Sequence, residues 1–149
     1  MAFEMTYEEL LPVFSVNCDC DVIELDAPHM PTNIIRTDQR WAVKFSWETS
    51  GALNYIMAGT WHLQVFLEQI GGLEFDLGGA TRDVSFNSRP TDYEETISFN
   101  AGTVPAGIYK LVAAITFAGP APERRNGPIA LFGEGPMIQF YDVATPPIP

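Results

Sequence analysis

Apolar residues that recur at every second position leave little choice of fold, because only a strand turns alternate side chains to opposite faces. Phe14, Val16, Cys18, Cys20 and Val22 share one phase, with Ser15, Asn17, Asp19 and Asp21 on the other. The phase inverts at Ile23 and Leu25, which predicts a bulge or bend near Val22. Trp41, Val43, Phe45 and Trp47 alternate with Lys44, Ser46 and Glu48. Trp61, Leu63, Val65 and Leu67 do the same against His62, Gln64 and Glu68, with Phe66 an apolar residue on the polar phase. Gly71-Gly72 supplies the backbone freedom of a tight hairpin, with Leu73, Phe75 and Leu77 returning.

The pattern continues through Val84 and Phe86, then Tyr93, Glu95, Ile97 and Phe99. The longest regular alternation is Tyr109, Leu111, Ala113, Ile115 and Phe117. Pro120 to Pro128 reads as a loop with Arg124-Arg125 at its tip. Ile129 and Leu131 then open a segment broken by Gly133-Glu134-Gly135-Pro136, and Met137 to Val143 reads as the last strand. Helix is scarce. Thr6 and Glu9 match a capping box ahead of Leu10-Leu11 and Pro12, at most one short N-terminal helical turn, and Asn54 to Met57 offers a second turn.

Strands separated by turn signals about every 10 to 15 residues, without helical crossovers, predict an all-β, antiparallel sandwich of about 7–9 strands. The chain divides into an arm over 1–12, one domain over 13–143 and a Pro-rich tail over 144–149. Pro105-Ala106-Gly107-Ile108-Tyr109-Lys110-Leu111 resembles the start of a late strand in immunoglobulin-like and fibronectin-III-like domains. There a Gly-containing turn precedes a Tyr whose hydroxyl braces a corner. The resemblance implies an immunoglobulin-like β-sandwich and carries no catalytic residue with it; the Cys…Trp…Cys pattern of antibody domains is absent.

Nineteen acidic against eight basic residues give a formal charge of -11. Such a chain is a poor partner for nucleic acid, whose phosphates are neutralised by Lys and Arg, and for anionic membrane surfaces. No apolar run reaches the roughly 18 residues of a membrane span, so membrane insertion is not expected. The first residues lack a basic n-region, so a cytoplasmic location is expected.

Two cysteines provide no disulfide framework. In Cys18-Asp19-Cys20-Asp21 a metal site would need thiols and carboxylates to converge, but alternation sends them to opposite faces. The expected role of the thiols is packing. His62 has no nucleophile motif near it, and Glu94-Glu95 point to opposite faces, so no catalytic set is expected and the chain is read as a non-enzyme. The glycine pairs lack a phosphate-loop pattern, and no cofactor is expected.

What remains is surface. Seven acids precede the first basic residue, Arg36, and Asp19, Asp21, Glu24 and Asp26 form the candidate acidic docking surface for a basic partner. Tyr55, Phe66, Phe132 and Tyr141 fit the core alternation less readily and are candidate interface residues, with Arg124 and Arg125. The expected function is a structural or adaptor subunit acting through protein partners or self-association. Subunits that decorate phage-like and contractile particles are similar in size and fold type. The alternative is a ligand-binding module for carbohydrate, on aromatic side chains, or for calcium, on the acids.

Overall fold

The computed structural model describes residues 2–7, 13–26, 32–72, 74–75, 77, 80–120 and 122–142. Ten strands lie among them: β1 (Ala2–Tyr7), β2 (Ser15–Glu24), β3 (Ile34–Arg36), β4 (Trp41–Ser50), β5 (Thr60–Gln69), β6 (Glu74–Phe75), β7 (Thr81–Ser85), β8 (Asp92–Phe99), β9 (Gly107–Ala118) and β10 (Asn126–Tyr141). A 3-10 turn over Ala52–Ile56 is the single helical element among the described residues.

The strands form two sheets in a sandwich-like fold. The first runs β1-β2-β4-β8, and the second has β10-β9-β5 at its centre. β1 belongs to both: Ala2 to Met5 pair with β2, and Thr6 and Tyr7 pair with Phe132 and Leu131 of β10. The helical turn expected from Thr6 is therefore not formed there, because Thr6 and Tyr7 are in a strand; the rest of that turn, 8–12, lies outside the described residues, as does the tail over 144–149. β6 and β7 lie in tandem along β5, and β3 runs parallel to β10. That parallel pair departs from the purely antiparallel sandwich expected. So does the strand order. β2 is flanked by β4, where immunoglobulin domains place a strand from later in the chain.

The alternating residues face one shared core. Phe14, Val16, Cys18, Cys20 and Val22 are buried, as are Trp41, Val43, Phe45, Trp47, Trp61, Leu63, Val65 and Leu67. β2 pairs with β4 without interruption from Ser15 to Glu24, so the bulge expected near Val22 is absent. Ile23 is half-buried on the outer phase. Trp61 is fully buried and meets Phe117 at a ring-centroid distance of 5.2 Å, Phe86 at 5.8 Å, Tyr93 at 6.0 Å and Trp47 at 6.2 Å. Most of these contacts are edge-on, the arrangement the ring quadrupole favours.

The two segments expected around Gly133-Glu134-Gly135-Pro136 are one strand, β10, with a register shift between Glu134 and Met137. Pro136 is tolerated there because it lies between the stretches of β10 that pair with β1 and with β3, where no ladder donor is required. Gly135 makes room for Phe3: a Cβ at 135 would stand 2.8 Å from Cε1 of that ring.

At the start of β9 the Tyr109 hydroxyl donates to the Pro105 carbonyl at 2.9 Å, the corner brace the local sequence predicts. Burial pushes the Tyr109 phenol up from its ordinary value. Tyr109→Phe should cost about 1 kcal/mol, the net worth of one such hydrogen bond, as read from urea unfolding.

Candidate functional site

With the tryptophans and both thiols in the core, chemistry is left to the outer faces of the two sheets. Neither cysteine forms a disulfide. A hydrogen bond with Cys18 and burial push the Cys20 thiol well up, so it is held as a thiol and is a poor nucleophile.

The outer face of the first sheet is acidic. The register places Asn17, Glu48 and Asp92 in one cross-strand row and Asp19, Ser46 and Glu94 in the next. Together they line an open concavity of about 400 Å³. Lys44 approaches Glu94 at 3.4 Å, across from Asp21. Glu48 opposite Asp92 is a like-charge pair, which costs stability in an isolated sheet. Among the described residues no group of three or more His, Cys, Asp or Glu is arranged to hold a metal ion.

Of the four candidate acids, only Asp19 and Asp21 lie on this face. Glu24 accepts a hydrogen bond from Gln39 Nε2. Asp26 accepts from the Arg40 backbone N–H at 2.6 Å and from its guanidinium Nε at 2.8 Å. The backbone bond first, and the guanidinium second, hold the Asp26 carboxyl below its ordinary value of 3.8. A carboxyl lowered on folding stabilises at pH above its unfolded value, and loses that contribution as pH falls through the folded one. Melting temperature measured from about pH 5 down to pH 2 should therefore fall less steeply in Asp26→Asn than in the parent chain.

The outer face of the second sheet is mixed in character. Gln64, Ala114 and Phe132 form one row and Phe66, Val112 and Glu134 the next. Further along, Lys110 lies opposite Met137, and Ile108, Gln139 and Ile34 make a row. Ile34, Ile108, Phe132, Met137 and Tyr141 are exposed by 54%, 47%, 57%, 59% and 39%. Phe66 is half-buried on the same side. The β10 register shift lets Glu134 reach the Lys110 ammonium at 2.8 Å, and this pairing raises the Lys110 pKa from its ordinary value. The face therefore carries an apolar patch with its central charges mutually satisfied.

Three of the four aromatic candidates, Phe66, Phe132 and Tyr141, thus share one sheet face. Tyr55 does not: it projects from the 3-10 turn beside Ile56, exposed by 64%. Arg124 and Arg125 are exposed beyond the end of β9. Ile34, Ile108 and Met137 escaped sequence reading, although Ile108 beside Tyr109 carries the same signal as Phe66, an apolar residue on the polar phase.

His62 lies near one end of this second face. Its Nδ1 is 2.6 Å from Asp83 Oδ1, across the β5–β7 pairing. The two line an open groove of about 460 Å³ with Thr60, Ser85, Thr116, Ala118 and Arg124. Asp83 can orient the imidazole, and the groove brings hydroxyls and a guanidinium near it.

No family model matches the chain, and no curated protein matches it by sequence. Among solved structures it is similar to the crystal structure of the CARDB domain of the PF1109 protein from Pyrococcus furiosus in complex with di-metal ions. That match has 10% identity over 91% of this chain and 100% of that one, with a TM-score of 0.47. The solution structure of the same domain matches at 12% identity over 83% of this chain and 94% of that one, TM-score 0.41. A protein named pT26-6p matches at 16% identity and TM-score 0.48, over 94% of this chain, which spans only 25% of that chain. These similarities carry no ligand, activity or family across to this chain.

Proposed function

We infer that the chain is a non-enzymatic subunit that works through protein contacts made by the outer face of the second sheet. The observation that carries this reading is the grouping of Ile34, Ile108, Phe132 and Met137, each about half exposed or more, on one sheet face. Water-exposed apolar area of this kind is stabilised when a partner covers it. Phe66 and Tyr141 extend the patch. In a chain of charge -11 the locally paired Lys110 and Glu134 make this face the one where approach of another acidic surface is least opposed. The acidic face with Asp19 and Asp21 is suited to a more basic neighbour. Two dissimilar faces on an immunoglobulin-like sandwich, varied in strand order, suit a subunit held between neighbours in a particle, including one of phage-like or contractile type.

Light scattering on the purified chain, and capture of partners from its host, test this reading. Phe132→Asp with Met137→Asp, both at side chains more than half exposed, should abolish the association while circular dichroism shows the strand content retained. A parent chain that stays monomeric at high concentration and retains no partner overturns the proposal.

A further inference from the structure

The groove at the β7-β5-β9 end of the second sheet has a composition the protein-contact reading does not use. Its floor is two cross-strand rows, Ser85-Thr60-Ala118 and Asp83-His62-Thr116. Ala118 is the small member, so the space between the two threonines is left open. The hydroxyls of Thr60, Ser85 and Thr116 bond to no protein group among the described residues, and the Arg124 guanidinium has no carboxylate partner there. Asp83, the acid of the groove, is engaged by His62 Nδ1, which leaves Nε2 as the polar atom the ring can offer a ligand.

Arg124 is also the one non-glycine residue with positive φ, at 46°, among the described residues. That conformation disfavours every side chain but Gly, Asn and Asp, and a residue held in it is a reason to ask what the side chain does. Here it brings a guanidinium to a groove lined by hydroxyls. A guanidinium has donors and no acceptor, and hydroxyls can all turn to donate. Donors from three strands and a loop line the open groove, more of them than the two oxygens of one carboxylate can use, which favours a group carrying three or four oxygens.

We propose that this groove binds a tetrahedral oxyanion, a phosphate or sulfate group, through Arg124, Thr60, Ser85, Thr116 and His62. The occupant is either a free anion or an ester of one on a small carrier. The test is amide-detected NMR titration of the whole chain at constant ionic strength with inorganic phosphate, sulfate, glycerol 3-phosphate and glucose. Inorganic phosphate or sulfate should give saturable shifts confined to the groove. Arg124→Gly relieves the backbone and removes the guanidinium, so its melting temperature should hold or rise while affinity falls about tenfold or more. Thr116→Val should weaken binding without that gain in stability. Glycerol 3-phosphate binding more tightly than inorganic phosphate identifies an ester as the occupant, and equal or weaker binding identifies the free anion. Unchanged affinity in folded Arg124→Gly, shifts that never saturate, or equal shifts with glucose each overturn the proposal.

Discussion

Trp61→Ala should lower unfolding free energy by about 3–5 kcal/mol, the range for deleting a buried tryptophan. The reason is where the ring sits: it is fully buried and touches residues of both sheets, Trp47 and Tyr93 from the first and Phe117 from the second. Removing it leaves a cavity that the four surrounding rings can fill only by giving up their remaining contacts, Trp47 stacked on Tyr93 and Phe86 edge-on to Phe117. Domains of this kind are stable by about 5–15 kcal/mol, so the variant should unfold at much lower urea or fail to fold. Trp61→Phe separates ring packing from hydrogen bonding. The indole Nε1 makes no hydrogen bond among the described residues, so the smaller ring should cost well under half as much. Equal losses in the two variants would show that the packing account is wrong.

Gly51→Ala is expected to be strongly damaging. Gly51 precedes the 3-10 turn with φ 101° and ψ 157°, a region glycine alone occupies readily. A Cβ there would also run into the backbone carbonyl of Val13, which cannot swing aside like a side chain. Backbone strain of this kind costs about 1–3 kcal/mol, and the displaced Val13 carbonyl, which accepts from Leu53 N–H, adds to it. Gly71→Ala is the control. Its φ is +77° but no atom lies within 4 Å of the added carbon, so the loss should stay near 1 kcal/mol. Urea unfolding of the pair checks the prediction, and similar losses in both would remove the clash from the account.

Legibility followed the physics of each element. β2, β4, β5 and β9 each have one buried face, so period two is written directly into their residues. β10 was harder, since its second neighbour changes from β1 to β3 and the sequence marks that change with Gly133-Glu134-Gly135-Pro136, the residues of a turn. β3 has three residues, too few for any period to show. β1 hides because its pairing is divided between two sheets. Among site residues, Phe66 and Phe132 betrayed themselves by breaking the alternation. Glu24 and Asp26 could be counted as charges from sequence, but the loop partners that engage them, Gln39 and Arg40, are revealed only by the fold. The His62–Asp83 contact depends on register across 21 residues, which no local pattern encodes.

The position of β1 has a consequence for how the molecule is made. It is the only strand in the described residues that joins the two sheets by hydrogen bonds, and its partner in the second sheet, β10, is the last strand of the ten to leave the ribosome. The β2–β4 pairing can form early during synthesis. The seam that closes the two sheets onto each other must wait until Leu131 and Phe132 have emerged. Until then the Trp61 face of β5 is without the β10 half of its sheet, and a nascent chain stalled before residue 131 should be a preferred substrate for a chaperone that recognises exposed aromatic surface.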